Sequence, residues 1–359
     1  MNFKTPFTPL VILCICVIVN GCSSEALQKL KARPNAFGPS DKITVIADEQ
    51  LWDSDVQDTI SYYYGSAYII LPQPEPVFDI QHFTPEQLRN KDPRRQLRVY
   101  LVIADLEDEG SLGTKMVRND LGEENYSKAL ADPTFNTQVA RDRWALGQMV
   151  VYLWGRNKAE LIENLKYNFQ GIAKRVNKFD ERQYEATIYF GGQNITAENA
   201  IQGALGVSLR VPEDYKLVLN DSTVSWLRRE SNEASMNILV HRTKYTSQEQ
   251  LTKEGLKKIR DDLGRQYISS TTPNTYMRVN DVDLPLFIDP MTLDNKYTIQ
   301  GRGIWDIVND YMGGAFVSYL IHDSEAGELV FIDGFVHAPG ENKRLFMQQL
   351  NYILCTVKV

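Results

Sequence analysis

Near the end of the 359-residue chain, Asp333-Gly334-Phe335-Val336-His337-Ala338-Pro339-Gly340 sets an acid and an imidazole four residues apart. On a strand that spacing keeps both side chains on one face. An imidazole oriented by a carboxylate can serve as a general base, with Ser318 or Tyr319 as hydroxyl partner, which is hydrolase chemistry. Strand geometry tests the idea. Residues 316–322 and 329–337 read as the arms of a hairpin closed by Asp323-Ser324-Glu325-Ala326-Gly327. A regular five-residue turn pairs His322 with Glu328 and Ser318 with Ile332, leaving Tyr319, Asp333 and His337 on the face away from Ser318. Only a bulge at Gly334 lets Ser318 reach His337. The favoured reading of Asp333 and His337 is a hydrogen-bonded strand end, and no catalytic residue is assigned.

Other chemistry is sparse. His82, His241, His322 and His337 show no metal-ligand spacing, so no metal or cofactor is expected. Gly301-Arg302-Gly303 lacks the third glycine of a dinucleotide loop and reads as a tight turn. Trp305, Tyr311, Phe316, Tyr319 and Phe335 accompany Gly301, Gly303, Gly313 and Gly314, residue types that build either a sheet core or a flat apolar recess open to a ligand. Trp305, Tyr319, Asp333 and His337 are the candidate binding surface, for an envelope protein or a glycan.

The elements that must position these residues follow from periodicity. Residues 42–48, 97–104 and 148–154 read as strands, and 157–183 as a long helix with Leu161, Leu165, Phe169, Ile172 and Val176 on one stripe. Residues 107–136 read as an exposed acidic excursion with at most a short helix. A boundary is expected through the glycine-interrupted stretch 191–206. Residues 207–211, 216–219, 223–229 and 236–243 then read as a meander. Ser247 and Gln250 match a capping box before a helix carrying Leu256, Ile259 and Leu263, and a last helix carries Phe346, Leu350, Ile353 and Val357. The fold class is therefore α+β, two modules of mainly antiparallel sheet covered by long helices, at 42–192 and 207–359.

The N-terminus supplies an address. Lys4 precedes an apolar run at 11–19, too short for a membrane span of roughly 20 residues but suited to a secretory signal. The run ends in Val19-Asn20-Gly21-Cys22, which resembles a lipobox: cleavage between Gly21 and Cys22, lipidation of the Cys22 sulfur, and a polar tether over 22–41. Several acyl chains make such an anchor effectively permanent. Ser23 in place of aspartate favours the outer membrane, with the body facing the periplasm or the exterior. With 1–21 removed and Cys22 lipidated, Cys355 alone remains, read as a small buried apolar residue. The net charge of −7 lacks the concentrated Lys and Arg of a nucleic-acid binder.

Trp144-Ala145-Leu146-Gly147-Gln148, Gly301-Arg302-Gly303-Ile304-Trp305, Met312-Gly313-Gly314-Ala315-Phe316-Val317-Ser318-Tyr319 and the Asp333 to Gly340 motif together resemble an uncharacterised lipoprotein family of Bacteroidota along nearly the whole chain. The resemblance implies an envelope address and no reaction. The expectation is a membrane-anchored binding or assembly module, the competing one a hydrolase of envelope glycan or peptide acting through Asp333 and His337.

Overall fold

The computed structural model describes residues 33–68, 70–89 and 93–359; the expected signal segment, Gly21, Cys22 and the first part of the expected tether lie outside the described residues. The chain runs β1 (Lys42–Ile46), α1 (Glu49–Trp52), α2 (Asp55–Tyr63), β2 (Asp79–Phe83), β3 (Val99–Asp105), α3 (Leu112–Ala131), β4 (Thr137–Arg141), β5 (Met149–Gly155) and α4 (Lys158–Ile188). It continues α5 (Ile195–Leu205), β6 (Lys216–Asn220), β7 (Val224–Glu230), β8 (Ser235–Lys244), α6 (Lys253–Tyr267), β9 (Tyr276–Val279), β10 (Phe287–Leu293), β11 (Lys296–Val308), β12 (Gly313–Asp323), β13 (Glu328–His337) and α7 (Arg344–Leu354). The fold is α+β.

Two compact units divide these residues. The first comprises the described part of 1–39 with 44–49 and 82–158; the second comprises 40–43, 50–81 and 159–359, so α4 clusters with the C-terminal strands.

In the first unit the strand order is β2-β1-β3-β5-β4. Its central pairings, β1 with β3 and β3 with β5, are parallel, and β4 adds to β5 antiparallel. β3 and β5 are buried along almost their whole length, as strands of a parallel core are. The 107–136 stretch is not an excursion. It forms α3, capped by the Ser111 hydroxyl accepting from the Thr114 amide, and buries Val117, Leu121, Tyr126 and Ala129 against Tyr100, Val102 and Tyr152. Gly122, at φ 77°, kinks the helix and breaks the stripe that reveals it. The Trp144 to Gln148 motif is a structural turn: the Gln148 amide accepts from the Trp144 and Ala145 nitrogens and donates to the Arg95 and Leu97 carbonyls. The end of the expected tether is docked here, since the Ala36 amide donates to the Leu146 carbonyl and the Phe37 amide to that of Gln96.

The second unit holds an eight-stranded sheet ordered β10-β11-β12-β13-β8-β7-β6, with β9 added to β11. Its neighbouring strands pair antiparallel, including the expected meander of β6, β7 and β8. Three expectations are corrected. Residues 207–211 are not a strand and make only an isolated bridge through Ser208, following α5, which is capped by Asn194 and ended by left-handed Gly206. Gly301-Arg302-Gly303 is no turn but the middle of the 13-residue β11. The hairpin pairs Asp323 with Glu328 and Ser318 with Asp333, one residue from the expected register, because four residues rather than five make the turn.

That one-residue slip changes which side chains share a face. Val317, Tyr319, Ile321, Val330, Ile332 and Val336 pack with Leu350, Ile353 and Leu354 of α7. Phe316, Leu320, Phe331 and Phe335 face the other way, with Trp305 and with Leu256 and Leu263 of α6. Both faces are thus core, each buried side chain of this size contributing about 1.5–3 kcal/mol. The motif glycines serve that packing: a Cβ at Gly301 would stand 2.8 Å from Leu256, and one at Gly334 would stand 2.6 Å from Leu354.

Candidate functional site

Alternation along β11 carries Gln300 and Arg302 to the α7 face of the sheet, where Arg302 opens onto a cavity of about 810 Å³. β10 supplies Phe287, opposite Arg302 in register, and Asp289, opposite Gln300. α4 supplies Asn177, Glu181 and Tyr184, α7 supplies Gln348, Asn351 and Tyr352, and Tyr68, Ile70 and Val77 complete a lining that is apolar and aromatic around few charges. Such a volume and lining suit a small-molecule pocket.

Four side chains close a hydrogen-bond circuit on the cavity floor. Arg302 Nε donates to Gln300 Oε1 at 2.9 Å, and Gln300 Nε2 donates to the Tyr319 hydroxyl at 2.7 Å. The Tyr319 hydroxyl donates to Asn351 Oδ1 at 2.7 Å, and Arg302 Nη2 donates to the same oxygen at 2.9 Å. Arg302 Nη1 has only a long 3.4 Å contact, to the Tyr68 hydroxyl. Every partner is neutral, and among the described residues no carboxylate pairs with Arg302. The circuit holds the guanidinium rigid while leaving its charge uncompensated, the condition in which a fork of N–H donors recognises an oxyanion.

Cys355 also borders the cavity. It is a free thiol exposed to the cavity rather than the expected core residue, because it follows the last turn of α7 on the side facing Tyr319, whose hydroxyl lies 3.4 Å from its sulfur. Burial among protein atoms pushes its pKa up, against the Tyr319 hydroxyl and the Arg302 charge, so the thiol is not tuned as a nucleophile. Behind the wall, the Tyr184 hydroxyl donates to Asp41 Oδ2 at 2.6 Å and the Asp41 amide to Asp180 Oδ2 at 2.9 Å. Burial raises the Asp41 pKa to about 6, against hydrogen bonding from Tyr184. Asp41 Oδ1 and Gln348 Oε1 are buried acceptors with no hydrogen-bond donor among the described residues.

The residues singled out from sequence do not assemble into one surface. Asp333 is buried on the α6 face, 3.2 Å from Arg260, and accepts from the Ser318 hydroxyl at 2.6 Å. Burial raises its pKa despite Arg260 and Ser318. Tyr319 points to the opposite face, into the circuit. Trp305 and His337 do meet, with ring centroids 6.2 Å apart beside an open hollow of about 400 Å³. Trp305 is only 3% exposed, and His337 Nδ1 lies 3.1 Å from the Gly313 carbonyl oxygen. Asp333 and His337, four residues apart on β13, are separated by about 13 Å along the strand. The acid–base pair of the hydrolase reading is therefore not formed; of the glycine and aromatic motif, Phe316, Tyr319 and Phe335 are core, whereas Trp305, exposed Tyr311, Gly313 and Gly314 border the hollow. Among the described residues no group of three His, Cys, Asp or Glu side chains could hold a metal, and no helix is long and apolar enough to cross a membrane.

Sequence reasoning missed Arg302 because two flanking glycines resemble a turn. The signal was present in the alternation Thr298, Gln300, Arg302 against Ile299, Gly301, Gly303, the period of a strand with a polar face.

Residues 194–356 match the family described as Domain of unknown function (DUF4837), and residues 36–188 match Domain of unknown function (DUF8532). No curated protein matches the chain. Among solved structures it is similar to a point mutant of the protein Mog1, at 13% identity and a TM-score of 0.29 over 44% of this chain and 91% of that one. Saccharomyces cerevisiae Ran-binding protein Mog1p gives the same identity and score over 44% and 90%. Human StAR-related lipid transfer protein 5 gives 10% identity and a TM-score of 0.22 over 40% and 84%. Likenesses this distant carry no functional argument.

Proposed function

We propose that this pair of domains of unknown function is the body of a lipid-anchored envelope protein, held to the outer membrane through Cys22, and that its second unit is a ligand-binding module using the cavity around Arg302. The anchor is supported by the short apolar run ending in Val19-Asn20-Gly21-Cys22. The binding role is carried by one observation: a guanidinium fixed by Gln300, Tyr319 and Asn351 at the floor of an 810 Å³ cavity, with only neutral partners. An envelope protein or glycan docking at Trp305 and His337 lacks such support, since Tyr319 and Asp333 lie elsewhere.

Two measurements test the reading. Metabolic labelling with an alkyne fatty acid should mark the wild-type protein and not a Cys22→Ala variant; equal labelling would end the anchor assignment. Native mass spectrometry of protein purified from its own envelope should reveal a noncovalent adduct that a Phe287→Trp, Cys355→Phe double variant, with the cavity narrowed, no longer carries. Absence of any adduct on the wild type, or its persistence in a folded double variant, would remove the cavity as a binding site.

A further inference from the structure

Resting on the reading of the cavity as a binding site, we propose that its ligand is an organic monocarboxylate with an apolar body, the carboxylate seated on Arg302 and the body on Phe287. Three observations converge. The first is the state of the guanidinium. Nε and Nη2 are committed to the circuit through Gln300 and Asn351, whereas Nη1 has only the 3.4 Å contact to Tyr68. A planar fork with donors to spare and no internal counter-ion matches the two oxygens of a carboxylate.

The second is the charge of the lining. Arg302 is the only cation lining the cavity among the described residues, and the other ionised groups there are Asp289 and Glu181. Lys178 pairs with Glu181 at 2.6 Å, but Asp289 is exposed with no ion pair among the described residues. One cation facing a carboxylate at the rim stabilises one negative charge and repels a second, which favours a monoanion over a phosphate dianion.

The third is Phe287. It is 45% exposed, lines the cavity, and stands directly opposite Arg302 across the β10–β11 ladder on the same face. Side chains so paired have Cβ atoms about 5 Å apart. An apolar chain or ring attached to a carboxylate on Arg302 would therefore lie against Phe287 and lose water from both surfaces, with Ile70 and Val77 beyond.

The test uses 11-(dansylamino)undecanoic acid and its uncharged methyl ester, titrated by dansyl fluorescence at neutral pH against the full mature protein. Wild type should bind the acid about tenfold or more tightly than the ester, the size expected of a charge-assisted hydrogen-bond pair. Arg302→Gln should abolish the difference by weakening acid binding about tenfold, to the level of the ester. Asn351→Asp, a near-isosteric change placed 2.9 Å from Nη2, should do the same by giving Arg302 an internal counter-ion, and it covers the case in which Arg302→Gln fails to fold. Equal binding of acid and ester by wild type, an acid preference that survives both variants, or failure of the acid to bind overturns the monocarboxylate. So does dodecyl phosphate displacing the probe as well as dodecanoate. In each of these cases the cavity itself is judged separately, by the native adduct and its loss on narrowing.

Discussion

Two arginines, Arg260 buried and Arg302 half-buried, occupy opposite faces of the same sheet and differ in what neutralises them. Arg260, 1% exposed, reaches from α6 to Asp333 at 3.2 Å and stacks over the Phe316 ring at 3.7 Å. Among the described residues Arg302 has no carboxylate, only Gln300, Asn351 and Tyr68, and a cavity in front of it. A buried charge without an opposite charge is costly, so structure alone favours the first arrangement. The second is what remains when the counter-ion comes from outside. Withdrawal of a charge from open water is common to both, complete for Arg260 and partial for Arg302, and the missing partner separates a site from a strut.

The widest gap expected between them is in stability. Asp333→Asn should cost about 3–5 kcal/mol in urea denaturation, because it strands the Arg260 charge, whereas Arg302→Gln should cost less than about 1 kcal/mol. Equal costs would erase the comparison and make Arg302 structural. A buried carboxyl sharpens it from the acidic side. Asp41 titrates near 6 in the folded protein against an ordinary 3.8, so the folded state keeps a proton that the unfolded state has already lost. Stability should then be greatest below about pH 4 and fall as pH rises to about 6, by at most about 3 kcal/mol. Asp41→Asn should flatten that slope in urea midpoints taken between pH 4.5 and 7; an unchanged slope would assign it to another group.

Smaller effects are expected at the cavity edge and at the hollow. Alkylation of Cys355 by iodoacetamide at pH 8, followed by mass spectrometry of its peptide, should run several-fold slower than that of a free thiol of ordinary pKa, since burial raises its own. Reaction as fast as a free thiol would contradict that environment. His337→Ala should change stability by no more than about 0.5 kcal/mol, its ring being partly exposed with one hydrogen bond, to the Gly313 carbonyl, and a loose contact with Trp305. A loss comparable to that of Asp333→Asn would restore the Asp333 to His337 motif as a functional unit.

Much of this was legible in the residues. Alternation located β3, β5 and the β6 to β8 meander, the stripe from Leu161 to Val176 located α4, and a capping box at Ser247 marked the approach to α6. These signals survive because they are local: a side chain's face follows from its position in a period of 2 or 3.6. Signals broken by one residue were lost, as with Gly122 in α3 and the glycines beside Arg302 in β11. The candidate site was half visible. Tyr319 was singled out, but as a partner of Asp333 and His337, and a register one residue different moved it to the other side of the sheet.

By itself the sequence determined the α+β class and the burial of its apolar and aromatic residues, because composition and periodicity settle which surfaces must leave water. Only the tertiary structure decided which charges were matched. Arg260 lies 73 positions from Asp333, and Arg302 lies 49 from Asn351. Nothing in the local pattern distinguishes the arginine given a carboxylate from the arginine given an amide; strand register and helix docking chose between them.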